Sequence, residues 1–488
     1  MKNVKHANRA VKFSRHDLHL WIIRCTFAVI KQSSFMLYRL IVGNFTSFAE
    51  LSQFDMFPNP KRENFISHVY TTTPTPVLKE CAIYGANGSG KTNFMGILLF
   101  LKDFASQFAI DCDSDKLVAF YQNNRFKLPL MDDAIPMSFM IEFSGDKSSY
   151  IYTVELTGDG VSEEALYISG LGNAENQLLF KRIYTDIALA NDMATDEIAK
   201  VFHRQLQSNP SVSALSIMGR LRLIDNQYID DAYRWFNEKL EVIDVSYQLP
   251  WLIEQLRQQP DVMAFVRNVF KEIGIGMKDL SIKSENFEEW LQHADKGDKN
   301  AITKFIETVP KATEKNSLSK MDRHFPHFTI SEENGARIVS ELIFHQFGLN
   351  GYVGDMGCET QSSGTLRLLT LVPAIYSAVK EGKTIVIDEI DNSIHPNLIK
   401  GLIKYFANSD SNGQLIFTTH ETKLLDQQEL LRPDEVWIAD KKDGVTRMYS
   451  LNDFKIHRTL SLENGYLDGR FGGIPDVDNI DIPLHETR

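Results

Sequence analysis

The stretch that decides the fold is Gly85-Ala86-Asn87-Gly88-Ser89-Gly90-Lys91-Thr92, which matches the pattern GxxxxGK[ST] at every fixed position. It lies between an apolar segment with strand character, Cys81–Tyr84, and an apolar segment with helical spacing, Asn93–Leu101. Glycines let the backbone of such a loop bend until successive N–H groups point inward, and the start of the helix adds partial positive charge. The stretch therefore predicts a loop that cradles phosphate groups. A chance glycine turn is the alternative, and the complete motif with both flanks argues against it.

Within this loop two side chains are expected to do the chemistry. Lys91 is expected to reach the β- and γ-phosphates of a nucleotide, and the hydroxyl of Thr92 is expected to hold Mg²⁺. The predicted nucleotide-binding residues are Gly85 to Thr92 together with Asn93, the first residue after the loop.

A second motif places two carboxylates at the end of an apolar strand. Ile385-Val386-Ile387 has the composition of a buried parallel strand, and Asp388-Glu389 follows it directly. Asp388 is expected to bind Mg²⁺, directly or through water, and Glu389 to polarise an attacking water molecule as general base. An acidic pair after an apolar strand is common by chance. Its presence in one chain with the phosphate loop makes the functional interpretation strong.

A histidine follows the next predicted strand, Gln414–Thr418. His420 comes about 30 residues after the acidic pair, in Thr418-Thr419-His420. There it is expected to sense the γ-phosphate and to steady the attacking water. The alternative is a structural histidine, and the spacing favours the functional role.

A segment of small polar residues precedes the predicted helix Leu366–Lys380. It reads Gln361-Ser362-Ser363-Gly364-Thr365-Leu366-Arg367, and its small side chains leave backbone N–H groups and a hydroxyl free to bind phosphate. The alternative is an ordinary helix N-cap, which serine and threonine make well. The order of the four motifs favours phosphate binding, through Ser362, Gly364 and Thr365.

The pattern of apolar residues divides the chain into five parts. Residues 36–185 are predicted to form an N-terminal lobe with an antiparallel β meander, and 335–475 a C-terminal lobe of α/β type. Short helical segments punctuated by prolines predict a compact helical insertion over 186–334. Residues 1–35 are expected to be a basic extension outside the fold, and 476–488 a polar tail.

Charge and cysteine content exclude several classes of protein. The 488 residues carry a net charge of −12, but residues 1–35 alone carry +6, which leaves −18 for the rest. This acidic body argues against a surface that grips nucleic acid over its whole extent, and it leaves a local basic groove possible. The four cysteines are widely spaced and form no metal-binding pattern, so a reducing cytoplasm is expected. No segment has the length of a membrane span.

In this order of motifs the chain resembles the ABC-type ATPase heads of the structural-maintenance, Rad-fifty and RecF-like proteins. Further stretches resemble the AAA-15/AAA-21 group of bacterial ATPases, which is similar to the AbiL-type abortive-infection and RloA-type restriction-linked proteins. Lysogenization-defect (OLD), Septu and PARIS ATPases are more distant relatives. The resemblance covers about 36–185 and 335–475 and is weak over the insertion. The stretches that carry it are Met36–Phe48, Gly85–Asn93, Ser362–Leu369, Ile387–Asn397, Gln414–Leu425, Arg432–Trp437 and Tyr466–Pro475.

The resemblance implies an α/β fold, a P-loop NTPase head of ABC type with an antiparallel β subdomain and a helical insertion. It implies ATP and Mg²⁺ as ligands and a homodimer, or a higher oligomer, in which two heads meet head to tail. The segment with Ser362, Gly364 and Thr365 of one head would then complete the site formed by Lys91 and Asp388 of the other.

The sequence also departs from the family pattern at several positions. Asn392–His395 takes the place of the D-loop, with His395 where many ABC heads carry aspartate. Ser363 and Thr365 depart from the Gly-Gly-Gln pattern of transporters. The glutamine that usually contacts Mg²⁺ has no assignable match, and Gln122 is a poor candidate by position.

These observations lead to one main hypothesis and one alternative. The main hypothesis is a Mg²⁺-dependent ATPase of an anti-phage system, without membrane association, acting with a separate nuclease or effector subunit. The alternative is a DNA-maintenance ATPase of the RecF or Rad-fifty type, for which the basic residues would form a groove. A nuclease centre within this chain is not expected, because few residues follow His420. The basic residues of the insertion are Lys311, Lys315, Lys320 and Arg323.

Overall fold

A computed structural model describes residues 35–71, 73–106, 114–128, 135–190, 196–222, 224–245, 249–293, 328–457 and 459–475. Apart from Phe35, the predicted basic extension lies outside the described residues, as do the predicted polar tail and the basic run Lys311–Arg323. Within the described ranges, no helix is both long enough and apolar enough to cross a membrane.

The described strands form three larger sheets and one short two-stranded ladder. In chain order they are β1 (Leu37–Gly43), β2 (Ser52–Asp55), β3 (Val69–Tyr70), β4 (Val77–Leu78), β5 (Glu80–Tyr84), β6 (Met137–Ser144), β7 (Ser149–Thr157), β8 (Gly160–Ile168), β9 (Gln177–Ile183), β10 (Asp186–Leu189), β11 (Leu240–Ile243), β12 (Met277–Asn286), β13 (Phe328–Glu333), β14 (Ala336–Phe347), β15 (Val353–Met356), β16 (Thr384–Ile387), β17 (Gln414–Thr418), β18 (Val436–Lys442) and β19 (Val445–Ser450).

The described α-helices cover the faces of these sheets. In chain order they are α1 (Lys91–Ser106), α2 (Ser114–Asn124), α3 (Asp196–Ser208), α4 (Ala214–Leu221), α5 (Gln227–Arg234), α6 (Leu249–Gln258), α7 (Pro260–Glu272), α8 (Phe287–His293), α9 (Ser363–Glu381), α10 (Pro396–Asn408) and α11 (Leu462–Leu467).

The central sheet is mostly parallel and is buried on both faces. Its strand order is β11-β16-β17-β5-β18-β19, and only the β18–β19 pair is antiparallel. Every residue of β5, β16 and β17 is buried, as expected for strands covered by helices on both sides. Along β5 the side chains alternate, so that Cys81 and Ile83 join one apolar core and Ala82 and Tyr84 join the other.

This topology collects the predicted motifs at one edge of the sheet. Parallel strands end at the same edge, and β5 leads into Gly85, β16 into Asp388 and β17 into Thr419 and His420. Segments that are hundreds of residues apart in sequence therefore meet at the carboxyl ends of neighbouring strands, where open α/β sheets bind their ligands.

The predicted β meander is confirmed as part of an antiparallel sheet with the order β10-β9-β8-β7-β6-β1-β2. The turn between β6 and β7 is held from outside the sheet by Asp231 of α5. Its carboxylate accepts hydrogen bonds from the backbone N–H of Asp146 at 2.9 Å and of Lys147 at 2.8 Å, and from the hydroxyl of Tyr150 at 2.8 Å. A buried carboxylate with three donors is stable, so this contact fixes the meander to α5.

The stretch 186–334, predicted as a helical insertion, contributes strands as well as helices. Helix α5 stops at Arg234, a π-helical turn spans Trp235–Lys239, and Leu240–Ile243 forms β11, so this part of the stretch is not helical throughout. Strand β11 pairs in parallel with β16 and buries Leu240 and Ile243 at the edge of the central sheet. Pairing with a neighbouring strand decides this outcome, because so short an apolar run fits either structure. The limits of the five predicted parts stay a prediction.

Candidate functional site

The phosphate loop folds as the sequence predicts, between β5 and α1. Gly85 and Gly90 have positive φ angles of +155° and +108°, which disfavour any residue with a side chain. Neighbouring atoms also leave no room for a side chain. A Cβ on Gly85 would lie 2.3 Å from the carbonyl oxygen of Ala439, and a Cβ on Gly90 would lie 2.4 Å from Oγ1 of Thr446. Both glycines are therefore required by the shape of the loop and by its neighbours.

The side chain of Lys91 is buried inside this loop. Its Nζ donates to the carbonyl oxygens of Gly85 at 2.7 Å and Ala86 at 3.1 Å. Burial lowers the pKa of Lys91, and the nearby carboxylates of Asp388 and Glu389 act in the opposite direction. The ammonium group is thus held in the loop by weak carbonyl acceptors, which phosphate oxygens can replace.

A set of hydroxyl and amide contacts supports the loop from the side. Thr446 of β19 donates from Oγ1 to the carbonyl oxygen of Ser89 at 2.7 Å and is 2.7 Å from Oγ of Ser47. The amide of Asn93 donates to the same Ser47 oxygen at 2.7 Å. In this structure Asn93 therefore holds the loop between β1 and β2 next to the phosphate loop. Thr92, at the start of α1, is exposed.

Asp388 lies at the end of β16 with its carboxylate buried and partly satisfied. The side chain is 2% exposed, and its Oδ1 accepts a hydrogen bond of 2.6 Å from the hydroxyl of Thr418 at the end of β17. Burial lowers the pKa of both Lys91 and Arg367, and the nearby Asp388 carboxylate partly opposes this lowering in each. These contacts fix one carboxylate oxygen beside the phosphate loop.

The backbone of Glu389 is in the left-handed region, with φ of +47°. A residue with a long side chain seldom adopts this conformation, which costs on the order of 1 kcal/mol. The N–H of Glu389 donates to Oγ1 of Thr418 at 2.7 Å, and the amide of Asn392 approaches its Oε2 at 3.5 Å. Thr418 therefore holds both acidic residues in place.

His420 lies beside the same group of charges. Its backbone N–H donates to both carboxylate oxygens of Asp391 at 3.3 Å. Partial desolvation and the positive charge of Lys91 lower the pKa of the His420 imidazole, against the opposing effect of Asp391. The imidazole is therefore mainly neutral near pH 7. The structure brings Lys91, Asp388, Glu389 and His420 together, as the motifs predict.

Asp391 and Arg367 are two further residues of the site, and neither was predicted from the sequence to have a role there. Arg367 is 8% exposed, and its guanidinium donates to the carbonyl oxygens of Asp388 at 2.6 Å, Glu389 at 3.2 Å and Asp244 at 3.1 Å. It ties helix α9 to the acidic turn. Both residues lie inside stretches that carry the family resemblance, Ile387–Asn397 and Ser362–Leu369, and this position is the sequence feature that points to them.

The segment with Ser362, Gly364 and Thr365 begins α9 and faces outward. Oγ of Ser362 accepts from the N–H of Thr365 at 3.2 Å, so Ser362 is also the N-cap of this helix. A Cβ on Gly364 would lie 2.5 Å from the carbonyl oxygen of Ser393. The segment thus lies against the turn at Ser393. Among the described residues, no hydrogen bond joins it to the phosphate loop of the same chain.

The predicted D-loop residue His395 caps α10 instead of pointing into the site. Its Nδ1 accepts from the N–H of Asn397 at 3.2 Å, and its side chain is exposed. Gln122, the weak candidate for the glutamine that contacts Mg²⁺, lies on α2 with its amide beside Gly158 of the meander. Gln122 is thus placed against the β meander.

The donor atoms present fit a magnesium ion. Mg²⁺ prefers hard oxygen ligands and keeps several water molecules. The Asp388 carboxylate and the Thr92 hydroxyl are oxygen donors of this kind, at the ends of the strand and loop that surround Lys91. These two residues would hold the ion, with the remaining positions left to water and phosphate oxygens.

Comparison with solved structures finds head domains of SMC proteins. Solved structures similar to the chain include an Smc head bound to the C-winged helix domain of ScpA, with 14% identity over 88% of this chain and 99% of that chain and a TM-score of 0.42. They also include the SMC head domain from Thermotoga maritima, with 12% identity, coverage of 86% and 99%, and a TM-score of 0.37. A third is the Smc head domain with an extended coiled coil bound to the C-terminal domain of ScpA derived from Pyrococcus furiosus. It has 15% identity over 89% of this chain and 99% of that chain, with a TM-score of 0.36.

No curated protein matches the chain. One family model does match, over residues 81–426, and it is described as "AAA domain, putative AbiEii toxin, Type IV TA system". The matched range begins inside β5 and ends beyond β17, so it contains the phosphate loop, the acidic turn and His420. Because the match spans well over half of the chain, this protein belongs to the AAA_21 family of P-loop ATPases.

Proposed function

We propose that the chain is a Mg²⁺-dependent ATPase that works as a head-to-tail homodimer and supplies ATP hydrolysis to a cytoplasmic anti-phage defence system. The observation that carries the ATPase part is the meeting of Lys91, Asp388, Glu389 and His420 at the carboxyl edge of one parallel sheet. The family match and the resemblance to abortive-infection ATPases support the defence role.

In this proposal the phosphates of ATP enter the loop Gly85–Thr92. Lys91 exchanges its two carbonyl acceptors for oxygens of the β- and γ-phosphates. Glu389 accepts a proton from a water molecule whose oxygen attacks the γ-phosphorus, and the bond to the leaving ADP oxygen breaks. His420, neutral near pH 7, holds the attacking water. When bound, Mg²⁺ neutralises negative charge on the β- and γ-phosphates.

The head-to-tail dimer is proposed because, among the described residues, no hydrogen bond joins the segment with Ser362, Gly364 and Thr365 to the phosphate loop of its own chain. Ser362 and Ser363 are exposed at the start of the 19-residue helix α9. A helix start offers N–H groups and partial positive charge to an anion. In a dimer the segment of one copy would meet the γ-phosphate bound by the other copy, so that ATP joins the two heads.

Gly364→Ala is expected to lower the kcat for ATP hydrolysis roughly tenfold while leaving ATP binding to the single chain intact. The new methyl group would lie 2.5 Å from the Ser393 carbonyl oxygen, so either the start of α9 or the Ser393 turn must move. A shift of about 1 Å at a reacting site is enough for a loss of this size. The matched control is Gly401→Ala in α10, where the added Cβ meets no atom within 4 Å. Equal kcat values for both variants would contradict a role for this segment in catalysis.

The pH dependence of kcat/KM is expected to report the lowered pKa of His420. Because the pKa lies below the usual value of about 6.5, the imidazole is already neutral at pH 7. Activity should therefore stay level from pH 7 to higher pH and fall only on acidification through the lowered pKa. The pH profile of kcat/KM reports the pKa values of groups in the free enzyme. The substitution His420→Gln should therefore remove the acid limb of the profile, which is the fall in activity at low pH. An unchanged acid limb in the variant would show that another group titrates.

The defence role is tested by isolating the chain from its native host with the proteins bound to it. A co-purifying nuclease or other toxic effector, released or activated when ATP is hydrolysed, is the expected result. Binding of duplex DNA by the chain alone, with a steep dependence on salt, would instead support a DNA-maintenance role.

A further inference from the structure

At the end of the central sheet opposite the phosphate loop, three metal-ligating side chains meet inside the protein. Glu80 is the first residue of β5, and Glu435 directly precedes β18, its parallel neighbour. His68 comes from the 3-10 turn Ile66–His68 before β3. Their exposed fractions are 0%, 0% and 2%. We infer that His68, Glu80 and Glu435 form a buried binding site for a divalent transition metal ion such as Zn²⁺ or Mn²⁺.

The distances among the ligand atoms fit one ion. Nδ1 of His68 is 3.0 Å from Oε1 of Glu435 and 3.6 Å from Oε1 of Glu80, and one ligand atom from each residue lies within 4.8 Å of the others. A zinc ion with ligands at about 2.0–2.2 Å keeps neighbouring ligand atoms roughly 3–3.5 Å apart. Small movements of the side chains would thus bring all three donors to bonding distance.

The unsatisfied carboxylate of Glu80 is the observation that points to a ligand. Among the described residues, neither Oε1 nor Oε2 of Glu80 has a hydrogen-bond partner, although both are buried. A buried carboxylate without partners costs several kcal/mol, and a second carboxylate beside it raises the cost. The contact of Glu80 Oε1 with Nδ1 of His68 is 3.6 Å, which is longer than a hydrogen bond. A divalent cation satisfies both carboxylates at once.

The cations nearby already have other partners. The ammonium group of Lys79 donates to the carbonyl oxygen of Ser409 and lies over the ring of Tyr70. Arg432 forms a buried ion pair with Asp434 at 2.8 Å. Among the described residues, neither cation donates a hydrogen bond to Glu80, and Lys79 acts on this carboxylate through its charge alone.

The surrounding contacts hold the ligands in position. The N–H of Arg432 donates to Oε2 of Glu435 at 2.7 Å, and the Arg432 guanidinium donates to the carbonyl oxygen of Asn64 at 2.9 Å. The segment before His68 is thereby tied to the turn before β18. This arrangement gives a role to the motif Arg432–Trp437, which the ATPase chemistry does not use.

A surface cavity borders the cluster on the side of His68. This cavity of about 280 Å³ is lined by His68, Phe65 and Lys404, among others. The ring of Phe65 stacks on that of His68 with 4.8 Å between centroids. Water from this cavity could supply a fourth ligand, because three protein ligands leave one position of a tetrahedral ion open. The ion would fasten residues 65–68 to the strand that leads into the phosphate loop.

Metal content of the full-length, nucleotide-free protein tests this inference. The chain is stripped with a chelator, incubated with Zn²⁺ or Mn²⁺, passed through a desalting column and measured by elemental analysis. About one ion per chain is expected. Glu80→Gln, which keeps the size of the side chain, and His68→Gln should lose it. Glu142→Gln alters a buried carboxylate in β6 and should keep the ion, as should Lys91→Ala in the phosphate loop.

The melting temperature gives a second readout if one variant folds poorly. Removing the metal should lower the melting temperature of the unaltered chain to that of Glu80→Gln, and metal should leave the variant unchanged. Two results overturn the inference: no bound ion and no thermal response in the unaltered chain, or equal metal content in Glu80→Gln and the unaltered chain. Neither result would bear on the proposed ATPase.

Discussion

Replacing Lys91 by alanine is expected to abolish measurable ATP binding. In the structure the ammonium group is buried in the loop and donates to the carbonyl oxygens of Gly85 and Ala86. With ATP it would bond to phosphate oxygens, and such charge-assisted hydrogen bonds contribute about 1.5–3 kcal/mol each. Losing two of them weakens binding roughly 100-fold or more. Isothermal titration calorimetry with ATP and Mg²⁺ measures the change.

The control for Lys91→Ala is Lys116→Ala, which removes an exposed lysine from α2. It should bind ATP as the unaltered chain does, and both variants should show the same circular dichroism spectrum. An affinity within threefold of the unaltered value for Lys91→Ala would contradict the assignment of the phosphate loop.

Glu389→Gln is expected to lower kcat by a factor of about 10² to 10⁴ without weakening ATP binding. A glutamine keeps the shape of the side chain and its contact with Asn392, but it cannot accept the proton of the attacking water. The N–H of residue 389 would still donate to Thr418, so the acidic turn should keep its geometry. Single-turnover release of phosphate measures the chemical step directly.

The matched control for this variant is Glu421→Gln, in the turn that follows His420. The Glu421 side chain accepts from the N–H of Lys423 at 3.0 Å, and the glutamine oxygen can do the same. Hydrolysis should be unchanged in Glu421→Gln. If both variants hydrolyse ATP at the unaltered rate, Glu389 is not the general base.

The phosphate loop, the acidic pair, the β meander and the α/β class could all be predicted from sequence. They depend on local patterns, such as glycines at fixed spacing before Lys91, a short apolar run before Asp388, and alternation in Met137–Ser144. The parallel pairing of β16, β17 and β5 is also consistent with these patterns. If the three motifs form one site, their strands must end at the same edge of the sheet, and the carboxyl ends of parallel strands do so.

The parts that could not be predicted depend on contacts between distant segments. Strand β11 follows a helix without a turn residue, and only pairing with β16 makes it a strand. Arg367 acts through backbone carbonyls, so its partners in the site do not depend on which residue types stand at those positions. The cluster of His68, Glu80 and Glu435 joins residues from two ends of the chain at a spacing that no metal motif describes.

The measurement that tests the central claim most directly is the mass of Glu389→Gln in solution with saturating ATP and Mg²⁺, by multi-angle light scattering. The account predicts a shift from 55.7 kDa to twice that mass, since ATP that is not hydrolysed holds two heads together. Adding Gly364→Ala to this variant should reduce the shift, whereas adding Gly401→Ala should not. A chain that binds ATP and stays at 55.7 kDa would contradict the head-to-tail dimer.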